Sequence, residues 1–366
     1  MSSFTFSSEP HRRFVVWLLA LVVLPVAGFF AIGVYLQPLY GDLTRIGFYS
    51  ERDFGWNSTQ VIFPNEKLEF NASPDNSSRY FDILVLGDSF SRYRPKFQWQ
   101  NYLKVITRES IGTMNINEIR LIQVITSRGF REHPPKVLIM ESVERELPHH
   151  LKQNMNICKK TPAENSKIDA RSEITPIINW NWENYHADTT RQVDRETKLS
   201  EINLGYTLKY LRHNLFGETV RNQVYKMNIS RPAPFSSRDQ SEFLIYDDDI
   251  NKIKWWSDMG LSEMDCRIEA MRRQVEANGY TRFVLMVPPD KLTAYADFLR
   301  NPEFRHASLL SALSERHPEL MPRFDNALIT AIRSGEQDVY FPDDTHWASN
   351  GQRIAAKTLI SFLRRK

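Results

Sequence analysis

Residues 81–91 read Phe-Asp-Ile-Leu-Val-Leu-Gly-Asp-Ser-Phe-Ser, and this stretch decides the fold. Ile83-Leu84-Val85-Leu86 is a continuous apolar run closed by Gly87-Asp88. A run without polar alternation predicts a strand buried on both faces, as in a parallel sheet covered by helices. Three more such runs follow: Val137-Leu138-Ile139-Met140 after Pro134-Pro135, Phe283-Val284-Leu285-Met286-Val287 before Pro288-Pro289, and the shorter Val339-Tyr340-Phe341 before Pro342. Helical spacing lies between them. Ile116, Ile119, Ile122 and Ile125 predict a helix over 116–130, Ser262 and Asn278-Gly279 bracket a second, and Gly351–Leu363 gives a third. Strand and helix alternate, which predicts an α/β sandwich built on a parallel sheet.

The chemistry stands at the carboxyl ends of these strands. Gly87-Asp88-Ser89 follows the first, Glu141-Ser142-Val143-Glu144-Arg145 the second, Asp290-Lys291 the third, and Asp343-Asp344-Thr345-His346-Trp347 the fourth. Open α/β sheets bind ligands outside that edge. A Ser, a His and an Asp brought there are the parts of a nucleophile–base–orienter site. Taken alone, Ser89 also reads as a helix N-cap and His346 as a surface histidine. Two carboxylates within three residues of an imidazole change that balance, because an adjacent carboxylate fixes its tautomer and stabilises its protonated form.

Phe81–Ser91 resembles the first block of the SGNH (GDSL-type) esterase superfamily. Asp344-Thr345-His346-Trp347 is similar to the Asp-x-His-Trp signature of the alginate O-acetyltransferase-like branch of periplasmic polysaccharide O-acetyltransferases, as is Val287–Lys291 with Tyr295. The resemblance covers roughly 81–146 and 280–363. It implies an SGNH-like three-layer sandwich with Ser89 as nucleophile, His346 as base and Asp344 as orienting acid. The Asp-x-x-His spacing of many other SGNH enzymes selects Asp343 instead. In the alginate enzymes the Asp-x-His segment precedes the Ser, whereas here it comes last. The usual Gly-x-Asn-Asp block is missing, so the oxyanion donors expected are the Ser89 amide, Gly112 in a loop before a helix, and Arg145, which otherwise pairs with Glu141 or Glu144. The same resemblance puts Lys291, Tyr295 and Trp347 at substrate.

Phe14–Leu36 is a charge-free apolar run of 23 residues, long enough for a hydrocarbon core of about 30 Å. His11, Arg12 and Arg13 before it predict a cytoplasmic tail over 1–13, an anchor over 14–36 and an exported remainder. A cleaved signal peptide is the rival, but its apolar region is normally about 7–15 residues and ends in a small-x-small site. Here Val26-Ala27-Gly28 lies within the run. We therefore expect a single-pass protein of the cytoplasmic membrane facing the periplasm: a connector over 37–80, then a catalytic domain over 81–366 with an insertion at about 151–240.

The insertion carries Trp180, Trp182, Tyr185, Tyr206, Tyr210 and Tyr225, with Lys254-Trp255-Trp256 after it; these aromatics suit either sugar stacking or a satellite core. Asp247-Asp248-Asp249 fails the Ca²⁺-loop pattern and reads as a solvated turn. Cys158 and Cys266, in an oxidising compartment, either pair or stay free. Across 366 residues, Lys+Arg 47 against Asp+Glu 44 gives a net charge of +3, too balanced for a nucleic-acid binder. No Cys/His spacing suggests zinc and no Gly-rich loop a phosphate, so no metal or cofactor is expected. The expected function is O-acetyl transfer to an exported or envelope polysaccharide, with a multi-span membrane acyltransferase supplying the acetyl group. A carbohydrate esterase with the same triad and a non-catalytic glycan-binding scaffold are the alternatives.

Overall fold

The three longest apolar runs form strands with both faces buried, as non-alternating sequence requires. The computed structural model describes residues 8–36, 40–64, 68, 80–155, 182, 191–194, 204–216, 223–230, 234–306 and 308–365. In it β1 (Ile83–Gly87), β2 (Ile111–Asn115), β3 (Val137–Glu141) and β4 (Arg282–Met286) form one sheet in the order β2-β1-β3-β4. All neighbours are parallel, with Ile83 opposite both Ile111 and Val137, and Val137 opposite Arg282.

Alternate side chains divide between two cores. Ile83, Val85, Val137, Ile139, Val284 and Met286 meet the helices Trp99–Thr107, Phe324–Arg333 and Ser349–Leu363. Leu84, Leu86, Leu138, Met140, Phe283 and Leu285 meet Leu121–Thr126, Leu147–Asn154 and Leu261–Glu276. Each such side chain contributes about 1.5–3 kcal/mol by leaving water. Helices cover both faces of a parallel sheet, and the architecture is a three-layer α/β sandwich.

Two local expectations are corrected. Val339–Phe341 joins no sheet; it makes one bridge, Tyr340 to Trp347, because the chain reverses after Pro342. The fourth strand is instead β2, whose Gly112 and Thr113 masked it in the sequence. The helix expected over 116–130 is two pieces, Leu121–Thr126 and Arg128–Glu132, divided where Ser127 Oγ accepts from Phe130 N–H at 3.2 Å and starts the second.

Among the described residues one helix, α1 (Ser8–Leu36), is long and apolar enough to cross a membrane. Its shaft exposes Phe14 (62%), Trp17 (69%), Leu21 (70%) and Leu24 (68%), an apolar surface that water does not favour. Its foot is seated: Leu36 is buried against Phe48 and Tyr206, and the Arg52 guanidinium lies 4.7 Å over the Tyr35 ring. Residues read as a connector then fold onto the body, beginning with α2 (Asp42–Gly47). Much of 151–240, including Trp180 and Tyr185, lies outside the described residues. Two of its described aromatics pack, Trp182 stacking on Tyr102 at 6.0 Å and Tyr206 on Phe48 at 5.7 Å, while Tyr225 is exposed. Beyond it, the buried Trp256 donates to the Glu144 carbonyl at 2.9 Å. Asp247-Asp248-Asp249 opens a helix, Asp247–Met259, and Asp249 is buried rather than solvated. Cys266 is disulfide-bonded; Cys158 lies outside the described residues.

Candidate active site

Gly87 ends β1 where a Cβ would meet Glu141 Oε2 and Ser91 at 2.8 Å, so only glycine lets the chain turn here. Asp88 then ties two loops together: its Oδ1 accepts from Phe90 N–H at 2.9 Å and its Oδ2 from Val143 N–H at 2.8 Å. The 3₁₀ turn Ser89–Ser91 is thus capped by Asp88. Ser89 is exposed and its hydroxyl is not spent on capping. Ser91 is buried and donates to Glu141 Oε2 at 2.8 Å. Burial, then the Asp88 charge, pushes the Glu141 pKa well above the carboxylate range, which favours a neutral acid.

The histidine comes from the reversal after Pro342, closed by the Tyr340–Trp347 bridge and by Phe341 N–H donating to His346 O at 3.0 Å. Asp344 Oδ1 accepts from the His346 amide at 3.0 Å and stands 2.6 Å from His346 Nδ1. Burial alone would raise the Asp344 pKa; His346, its hydrogen bonds and Arg94 outweigh this and hold the carboxyl below its usual range. An ionised Asp344 requires the proton on Nδ1, leaving Nε2 as a bare acceptor. That Nε2 is buried and has no hydrogen-bond partner among the described residues. The turn carrying Ser89 packs on the same ring: Phe90 lies 4.9 Å from the imidazole centroid and Tyr93 stacks on it at 4.5 Å. Arg94, next along, places Nη2 3.4 Å from Asp344 Oδ2 and lies over the Tyr93 and Phe341 rings.

Of the two candidate acids, Asp344 is therefore the one at the imidazole. Asp343 is fully buried, and burial followed by the neighbouring Glu51 pushes its pKa well above the usual range.

Residues 244–366 match the model of a family described as "SGNH hydrolase-like domain, acetyltransferase AlgX". The C-terminal third of this chain is thus similar to SGNH hydrolase-like domains of the AlgX kind. The match takes in Asp344 and His346, while Ser89 lies before it and is joined to the matched region through the sheet. No curated protein and no solved structure matches the chain.

Five expected site residues stand elsewhere or act differently. Gly112 pairs with Leu84 inside β2, short of the carboxyl edge, because the segment is a strand and not a loop. Among the described residues Arg145 pairs with neither Glu141 nor Glu144: its Nη1 pairs with Asp290 at 2.6 Å and Asp249 at 3.3 Å in a buried network with Lys252. Tyr295 is fully buried, its hydroxyl accepting from Tyr340 N–H at 3.2 Å. Trp347 is fully buried beneath the histidine turn against Phe90 and Phe324. Lys291 is fully buried and donates to the carbonyls of Phe341 (2.9 Å), Pro342 (2.7 Å) and Asp344 (3.2 Å). All three are fully buried and pack against or beneath the histidine turn.

Lys291→Met should therefore destabilise the fold by about 2–4 kcal/mol, since buried carbonyls lose their donor. Denaturant melts of the two proteins check this. Burial lowers the Lys291 pKa to about 8 although Asp343, Asp344 and Asp42 act to raise it. A depressed lysine contributes stability that is present above its unfolded pKa of 10.5 and lost as pH falls through about 8. Wild type should gain on the variant between those two pH values.

Sequence reading missed Asn117, which lies just past β2 as Ser89 lies just past β1, the two strands aligned with Gly87 opposite Asn115. Its Oδ1 meets His150 Nε2 at 3.1 Å, and His150 Nδ1 meets the buried Ser142 Oγ at 2.7 Å. Burial lowers the His150 pKa and favours the neutral ring, whose tautomer with the proton on Nε2 donates to Asn117 Oδ1. The carboxamide is thereby oriented, with its Nδ2 turned away from the histidine. Asp42 and Arg94 were missed as well, having no spacing relation to the motif they touch.

Proposed function

We propose that this protein is a membrane-anchored O-acyltransferase, acting by a serine acyl-enzyme route on an exported or cell-envelope polysaccharide. One observation carries the reading: an Asp344–His346 pair with a bare Nε2 lies against the turn of an exposed Ser89, in an AlgX-type domain. His346 Nε2 takes the Ser89 proton as Oγ bonds to the acyl carbon. When the leaving oxygen departs, that proton passes to it from the imidazolium. A sugar hydroxyl then attacks the acyl-enzyme by the reverse steps, freeing Ser89 and forming the new ester. The Ser89 amide and the Asn117 Nδ2 group are the donors we assign to the oxyanion.

We read α1 as a single-pass anchor of the cytoplasmic membrane, with the catalytic body in the periplasm and a multi-span acyltransferase delivering the acetyl group. The basic residues before Phe14 and the exposed apolar shaft support this reading.

The test incubates the full-length protein with an acetyl donor and candidate glycans, and follows acetate by mass spectrometry. Acetate on sugar is the expected result. Free acetate alone makes the protein an esterase, and no turnover with Ser89 unlabelled by an organophosphonate makes it a scaffold. In the same assay Asn117→Ala should lower kcat by about 10²-fold, the usual loss for one oxyanion donor.

A further inference from the structure

Asp42 opens α2, six residues beyond the end of α1. Its carboxylate accepts from the Thr345 amide at 3.0 Å and from Thr345 Oγ1 at 2.8 Å, and stands 3.9 Å from His346 Nδ1. The backbone beside it lies on the histidine turn as well. Leu43 and Thr44 donate their amides to the Asp343 carbonyl at 3.0 and 3.4 Å. A Cβ at Gly41 would fall 1.9 Å from that oxygen, so the two backbones touch and glycine is required. Arg94, which reaches Asp344, also donates to the Tyr40 carbonyl.

We propose that Asp42 is a positioning residue for the histidine: through Thr345 it fixes the turn 343–346 so that Asp344 holds Nδ1 and Nε2 faces the serine. The membrane-proximal turn is then part of the active site and not a spacer before it. The role rests on the acyl-transfer reading above. Two carboxylates approach one nitrogen at 2.6 and 3.9 Å, and only the nearer can take its proton. The farther one spends both oxygens on Thr345, the residue that links the acid to the base. Burial, then Asp344, raises the Asp42 pKa to about 6, with His346 and the Thr345 hydrogen bonds acting against the rise.

The experiment compares wild type, Asp42→Ala, Asp42→Asn and Thr345→Val as full-length proteins in detergent. It measures aryl acetate turnover, the melting transition, and the low-field proton resonance of the His346 Nδ1–H. Asp42→Ala should lower kcat about 10- to 100-fold with KM unchanged, the scale set by a displacement near 1 Å. It should shift or broaden the Nδ1–H resonance while the melting transition holds. Asp42→Asn, retaining one acceptor, should recover part of both, and Thr345→Val should fall between. Wild-type turnover with an unmoved resonance in Asp42→Ala overturns the proposal, as does a loss of kcat matched by a lowered melting transition. Should wild type itself neither turn over nor label at Ser89, the catalytic reading falls and the resonance alone decides whether Asp42 positions the ring.

Discussion

Ser89→Ala is expected to lower aryl acetate turnover by about 10⁴-fold or more and to abolish organophosphonate labelling, leaving the fold intact. The size follows from how triads behave, since removal of the nucleophile leaves only what binding and the oxyanion donors supply. The specificity follows from the turn. Ser91, two residues on, is fully buried and committed to Glu141, so it cannot take over. The cap of the turn is Asp88, so Ser89→Ala removes no structural hydrogen bond of the cap and should move stability by no more than about 0.5 kcal/mol. Full activity in the variant would sink the acyl-enzyme route whatever its melting behaviour.

Asp344→Asn should cost about 10⁴-fold in kcat, the scale seen when the acid of a triad becomes an amide. The asparagine Nδ2 would face Nδ1, drive the proton to Nε2 and remove the base. Arg94, largely withdrawn from water, would also lose the carboxylate 3.4 Å away. Asp343→Asn is the matched control. That carboxyl is already pushed toward its neutral form by burial and Glu51, so the amide should change kcat only a few-fold. Equal losses in the two variants, read as kcat with KM alongside, would show that the wrong carboxylate has been assigned. Acid does not imitate the substitution. The depressed Asp344 pKa means that its stabilisation is present above the unfolded value of 3.8 and lost only as pH falls well below it.

Much of this is legible in the sequence. Apolar runs with no alternation marked β1, β3 and β4, and turn residues at their ends fixed which edge carries chemistry. β2 escaped because its run, Ile111-Gly112-Thr113-Met114-Asn115, mixes small and polar residues that a sheet neighbour accommodates and a pattern does not reveal. Gly112 was drawn into the site by the same error. Val339–Phe341 misled in the opposite direction, apolar because it packs beneath the histidine turn and not because it pairs in a sheet. Lys291 shows a subtler limit: a lysine past a strand end reads as a ligand group, and only burial reveals that it holds three carbonyls. Asp42 and Arg94 had no signal at all, since their contacts with 344–345 cross 303 and 250 positions of chain.

The short path from α1 to the histidine turn sets a leash. Six residues from Leu36 to Asp42 reach at most about 21 Å when fully drawn out, whatever path they take. If α1 spans the bilayer, the reacting atoms cannot roam far from the lipid headgroups. On the function proposed above, a glycan would then have to be threaded down to the membrane face as it emerges, and a strand already released would be out of reach.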